Sequence, residues 1–251
     1  MISYKTPREI SLMREAGRIV AEVHAWARGS VRPGMTTEDL DRGARKIIEG
    51  RGAACTFLGY HGFPKTICVS VNEEVVHGIP GARRLEEGDI VGVDVGATWK
   101  NYVGDGAITL AVGRIDDERR RLVETTRECL DAAIRVMGPG VRVSAVSAAV
   151  QVLAESRGYS VVRDYAGHGI GTRLHEDPQV PNYVDDATPM HDTVLRPGMV
   201  ICVEPMLNLG GAEVEVLDDG WTVVTRDRRP SAHFEHTIAV TDGGTEVLTV
   251  A

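Results

Sequence analysis

Asp94, Asp105, His168, Glu204 and Glu235 are the side chains of this 251-residue chain that are best suited to hold divalent cations: four carboxylates and one imidazole. Each acid lies in or beside an apolar, strand-like run: DIVGVDVGA, YVGDGAITLAV, MVICVEPML and HFEHTIAV. Carboxylates buried together lose hydration and repel one another, so such a set needs compensating cations. A single strand-end aspartate reads best as a solvated surface group. Four acids in matched contexts reverse that reading.

Oxygen donors favour Mn, Mg or Ca, whereas an imidazole tilts the set toward Mn, Fe, Co or Zn. Two such ions about 3.5–4 Å apart can share a water, lower its pKa toward about 7 and polarise a carbonyl, which is what hydrolysis at neutral pH requires. At least one carboxylate must then bridge. Alternation along DIVGVDVGA places Gly92, Asp94 and Gly96 on one face and Val91, Val93 and Val95 on the other, so Asp94 points into open space. His168 is flanked by Gly167, Gly169 and Gly171, which allow backbone and ligand to approach closely. His77 in NEEVVHGIP and His175 in TRLHEDP are placed to hydrogen-bond a substrate amide.

These residues need elements to position them. Thr6-Pro7-Arg8-Glu9 is a capping box with proline at the first helical position, opening a helix to about Ala27 with Ile10, Met13, Gly17, Val20 and His24 on one face. A second helix follows Pro33-Gly34, capped by Thr36 or Thr37, with Leu40, Ala44, Ile47 and Ile48 inward and Gly50 or Gly52 at its end. From Thr66 to Val112 the texture turns to strands. Asp116 to about Met137 then reads as a long helix with Leu122, Cys129, Ala133 and Val136 inward, and another helix follows Gly138-Pro139-Gly140 as far as Ser156.

The order repeats. Pro33-Gly34, Glu49, Arg51 and Gly52 recur 106 residues on as Pro139-Gly140, Glu155, Arg157 and Gly158. Leu85, Gly88 and Asp94 fall on Leu195, Gly198 and Glu204 at an offset of 110, and Asp105 and Ile108 on Glu235 and Ile238 at 130. The acids superpose. We therefore expect one domain over residues 1–251, made of duplicated halves of roughly 1–113 and 114–251, with the acids converging between them and His168 as the asymmetric addition.

Composition is that of an ordinary globular chain, with 43% hydrophobic and 25% charged residues. Twenty-eight basic against 36 acidic residues and no basic block disfavour DNA or an anionic membrane as partner. Cys55, Cys68, Cys129 and Cys202 are widely spaced, as reduced thiols of a cytoplasmic protein would be. The opening MISYKTPREI has no apolar core before a cleavage site, so no targeting segment is expected in it, and no run approaches the ~18 apolar residues of a membrane span.

The segments YHGFPKTICVSVNEEVVHGIP, GDIVGVDVG, GHGIGTRLHEDPQVPNY, GMVICVEPM and FEHTIAV resemble those of type I methionine aminopeptidases in the compact bacterial form. The resemblance runs from the first helix to the final strand. It implies the pita-bread fold, an α/β (α+β) arrangement of two pseudo-two-fold-related halves with a central antiparallel sheet and outer helices. It implies two divalent ions (Co, Mn, Fe or Zn) held by Asp94, Asp105, His168, Glu204 and Glu235, with Asp105 and Glu235 bridging and Glu204 moving the proton. His77 would contact the scissile amide and His175 the carbonyl or its oxyanion. Tyr60, Phe63, Cys68 and Trp221 would form the methionine pocket, Trp221 from a hairpin turn after Asp218-Asp219-Gly220.

The activity so implied is removal of the initiator methionine from nascent chains whose second residue is small. The enzyme would act as a monomer with transient ribosome contact. A pita-bread peptidase cleaving before proline, and a non-catalytic binding scaffold, are the alternatives. The family commonly has threonine at the positions of Gly96 and Gly106, so two hydroxyls expected around the metals are missing. Phe57 and Leu174 also depart from the familiar pocket residues.

Overall fold

The computed structural model describes residues 1–184 and 192–250. The first helix, α1 (Pro7–Ser30), begins as the capping box requires: Thr6 and Glu9 satisfy each other's backbone N–H groups. It continues three residues past the expected Ala27, and the expected face of Ile10, Met13, Gly17, Val20 and His24 is buried. The second helix, α2 (Thr37–Gly50), is capped reciprocally by Thr36 and Asp39 and buries Leu40, Ala44 and Ile48. In the later pair, α3 (Asp117–Val136) buries Leu122, Cys129 and Ala133, and α4 (Val143–Ser156) follows the Gly-Pro-Gly turn. Val136, expected inward, is 42% exposed, while Ala133 in the same turn and Met137 just after it are buried.

Among the described residues fifteen strands follow the same chain order. They are β1 (Ala54–Cys55), β2 (Cys68–Val71), β3 (Glu74–Val76), β4 (Ile90–Trp99), β5 (Tyr102–Ala111), β6 (Ser160–Val161), β7 (Gly167–Gly169) and β8 (Glu176–Val180), then β9 (Val200–Val203), β10 (Met206–Asn208), β11 (Val214–Val216), β12 (Val223–Thr225), β13 (Ser231–His233), β14 (Glu235–Thr241) and β15 (Gly244–Val247). The large antiparallel sheet runs β1-β4-β5-β14-β9-β7-β8, with β2 on β4 and β15 on β14. Two small sheets, β13-β10-β6 and β11-β12-β3, flank it. This is a mixed α/β architecture with helices packed outside a central antiparallel sheet, as the pita-bread expectation requires.

Helix α1 lies directly on β4 and β5. A Cβ at Gly104 would stand 2.6 Å from the Gly17 nitrogen, and one at Gly17 would stand 2.2 Å from the Leu248 carbonyl oxygen, so glycine permits the approach at both positions. Gly34 and Gly140 both take left-handed backbone (φ 84° and 86°), and their N–H groups donate to the Leu85 and Leu195 carbonyls at 2.7 and 2.9 Å. Isolated bridges Thr36–Arg84 and Arg142–Val194 sit beside these turns. Among the described residues no helix is long and apolar enough to cross a membrane, and all four cysteines are free.

Candidate metal centre

Strand register assembles the acids. Asp94 of β4 pairs with Ala107 of β5, and Ala107 pairs in turn with Glu235 of β14, so the two acids flank one small residue in a row across three strands. Asp105 is opposite Gly96, two residues from Asp94 along β4 and therefore on the same face. The His236–Val203 pairing brings Glu235 beside Glu204, just past the end of β9, and the Gly169–Ile201 pairing brings His168 of β7 next to Cys202. Neighbouring strands β4, β5, β14, β9 and β7 thus deliver the acids and His168 to one surface in sheet order.

That surface floors a cavity of about 330 Å³. Asp105, His168 and Glu235 are 4%, 8% and 3% exposed. His168 Nε2 lies 3.6 Å from Glu204 Oε1 and 3.9 Å from Asp105 Oδ2. Thr237 Oγ1 accepts from the Asp105 N–H at 3.0 Å and donates to its carbonyl at 2.7 Å, locking that residue from behind. Asn182 Nδ2 donates to the Glu204 carbonyl at 3.0 Å. Among the described residues no Lys or Arg pairs with any of the four acids.

The electrostatics of this cluster suit a cation. Burial pushes the Asp94 carboxyl up to about 7. Burial, then the neighbouring carboxylates, raise Asp105, Glu204 and Glu235 well above the usual range. Burial also holds the His77 and His168 imidazoles near about 4. Asp94 Oδ1, Asp105 Oδ1 and Glu235 Oε1 are buried acceptors with no donor. Bound divalent cations would use these acceptors and supply the opposite charge, inverting the local preference for protonated acids. The residues present therefore fit a metal centre.

Every residue expected from the sequence to touch substrate lines the same cavity: Tyr60, Phe63, Cys68, His77, His175 and Trp221, joined by Phe57, His61 and Leu174. Trp221 follows the Asp219-Gly220 turn between β11 and β12, where Asp219 accepts from the Trp221 and Thr222 N–H groups at 2.8 Å. Its ring stands edge-on to Phe63 at 5.1 Å. His77 adopts left-handed backbone (φ 60°) immediately after β3, and its ring stacks edge-on against Tyr165 and Trp221. The Tyr60 hydroxyl is 2.7 Å from His175 Nδ1. Behind His175, Glu176 accepts from Lys5 Nζ at 2.9 Å in a pair whose side chains are 6% and 5% exposed, pinning this loop to the segment before α1.

The missing threonines have structural explanations. A Cβ at Gly96 would lie 2.5 Å from the Phe57 ring, so Phe57 fills the room in which a side chain at 96 would stand. A side chain at Gly106 would face the other side of β5, meeting Val20, His24 and the Glu235 carbonyl. The expectation that both positions lack a hydroxyl around the carboxylates is thus corrected for Gly106, which faces α1.

Two neighbours escaped the sequence reading. The Cys202 thiol lies in a group with Asp105, His168 and Glu235 whose ligand-type atoms are all within 4.8 Å of one another. Burial and the adjacent acids raise its pKa well above the ordinary value, and Thr237 Oγ1 lies 3.6 Å away, so it stands there as a protonated thiol. His233, held near about 3 by burial, approaches Glu204 from the other side. Inward alternation with Glu204 would have flagged Cys202; no sequence signal distinguishes His233 from a core residue.

The family model described as metallopeptidase family M24 matches residues 11–242. Methionine aminopeptidase 1 of Bacillus subtilis is 50% identical over 249 residues, covering 99% of each chain. The crystal structure of methionine aminopeptidase from Thermotoga maritima superposes with a TM-score of 0.96 at 46% identity, covering 100% of both chains. Prolidase from Pyrococcus furiosus, at 23% identity and a TM-score of 0.78 over 99% of this chain and 65% of its own, shares the fold.

Proposed function

The chain belongs to metallopeptidase family M24, and from that premise we propose that it is a metal-dependent aminopeptidase removing N-terminal methionine when the second residue is small. One observation carries the reading: the acids and His168, three of the acids with undonated buried oxygens, floor a cavity walled by His61, His77, His175 and by Phe57, Tyr60, Phe63, Cys68, Leu174 and Trp221. The apolar part of the wall suits an unbranched thioether side chain.

Asp94, Asp105, His168, Glu204 and Glu235 would hold two divalent ions (Co, Mn, Fe or Zn). Such ions would supply Lewis-acid activation of water and of the scissile carbonyl. Glu204 takes the proton of the attacking water on its carboxylate and returns it to the leaving amine. His77 contacts the scissile amide. His175 would face the carbonyl: its Nδ1 lies 2.7 Å from the Tyr60 hydroxyl, and with that hydroxyl as donor the ring proton would stand on Nε2, ready to stabilise a developing oxyanion.

The matched turns at Gly34 and Gly140 support one catalytic domain with halves of roughly 1–113 and 114–251. The substrates are the N-termini of nascent polypeptides, met by a cytoplasmic monomer with transient ribosome contact; the four free cysteines support that compartment.

The test is release of methionine from Met-Ala-Ser, Met-Lys-Ser and an Ala-Pro-Ser control after loading metal-free protein separately with Mn, Fe or Co. Cleavage of the first peptide alone is expected, and cleavage of the proline peptide alone would move the assignment to that class. Glu204→Gln should abolish hydrolysis; unchanged activity would sink the mechanism.

A further inference from the structure

His233 plays no part in the mechanism above, yet its buried imidazole stands beside the proton-carrying acid. It ends β13, where its backbone is fixed by pairing with Met206 and by Thr109, whose hydroxyl donates to the His233 carbonyl at 2.8 Å and accepts from its N–H at 3.0 Å. The side chain is 5% exposed, and Nε2 is buried with no partner. That nitrogen points at Glu204, 4.0 Å from Oε2, while Oε1 of the same carboxylate lies 3.6 Å from His168. Glu204 therefore stands between two imidazoles, only one of which is accounted for as a ligand.

We propose that His233 is a positioning residue for Glu204: its Nε2–H donates to Oε2 and so holds the carboxylate with Oε1 turned toward His168 and the reacting water. The inference rests on the proposed function for Glu204 but not on which peptide is cleaved. A buried neutral imidazole has one N–H to offer, and Glu204 Oε2 is the acceptor that Nε2 faces. Closing the remaining gap needs only a side-chain rotation of Glu204, whose backbone is already tied by Asn182. Groups that orient a metal-binding carboxylate typically change affinity or turnover by about 10–100-fold when removed.

The experiment compares wild type, His233→Gln, which retains an N–H donor, and His233→Leu, which does not. Expected for His233→Leu is a kcat for Met-Ala-Ser lowered about 10–100-fold with KM nearly unchanged, and a changed visible absorption spectrum of the Co(II)-loaded protein. His233→Gln should recover most of both. Equal kcat and an unchanged Co(II) spectrum in His233→Leu would overturn the proposal.

If His233→Leu does not fold, ¹⁵N-histidine NMR of the metal-loaded wild type decides the matter, with His233→Gln identifying the resonance. A slowly exchanging Nε2–H on His233 supports the contact, and an Nδ1–H tautomer refutes it. Should wild type release no methionine at all, the function falls, while the spectrum and the tautomer still report on His233 and Glu204.

Discussion

Asp94 shows how strongly this site is written in single residues. Its carboxyl rises from 3.8 to about 7 because burial strips it of water. A native-state pKa above the unfolded one means that the folded protein holds the proton longer; the stabilisation is complete below the unfolded value and is lost as pH rises through the folded one. Metal-free protein in EDTA should therefore lose stability on Asp94's account between about pH 4 and pH 7. Asp94→Asn should flatten that decline and unfold at a higher temperature than wild type at pH 7.5 in EDTA. Thermal denaturation at pH 5 and 7.5 checks it; parallel declines in the two proteins would contradict an uncompensated buried acid. With metal added the order should invert, because the variant has lost a ligand.

Elements set how closely these residues can meet. Helix α1 braces β4 and β5, the strands that carry Asp94 and Asp105, and it reaches β5 because Gly104 lacks a side chain; Gly17 in turn admits the Leu248 carbonyl. Gly104→Ala should overpack the contact between β5 and α1, costing about 2–3 kcal/mol and lowering Tm by roughly 5–10 °C in a chain of this size. Thermal unfolding by circular dichroism reads the change directly; a Tm within a degree of wild type would mean that α1 moves off the strand freely. The helices themselves were legible beforehand from caps and periodicity, because Thr6-Pro7 and Thr36 are local signals. The inward reading of Val136 failed because periodicity marks a face of the helix, not which residues of that face meet a neighbour at its end; there Ala133 and Met137 are buried instead.

Across the whole molecule, the proposed metal centre draws on strands β4, β5, β14, β9 and β7, so metal bound there would act on global stability. A ligand that binds only the folded state stabilises by about 2.7 kcal/mol at one hundred times its dissociation constant. For a chain of this length that corresponds to roughly 5–11 °C in Tm. Saturating Mn or Co should therefore raise Tm over that measured in EDTA by at least this much, and Ca should do less because it passes over the imidazole. A Tm indifferent to all three ions would argue against a metal centre at this position.

The amino-acid sequence by itself determined the chemistry and the class of fold: carboxylates in apolar strands are too costly to be accidental, and capping boxes, glycine turns and alternation act over a few residues. It also marked His168, through its flanking glycines. Tertiary structure alone decided which groups stand around those ligands. That Phe57 occupies the space beside Gly96, that Gly106 faces α1, that Cys202 lies beneath Glu235 and that His233 points at Glu204 are all consequences of pairing between strands far apart in the chain. Such contacts leave no periodic trace, because each depends on where a partner strand from another part of the chain comes to rest.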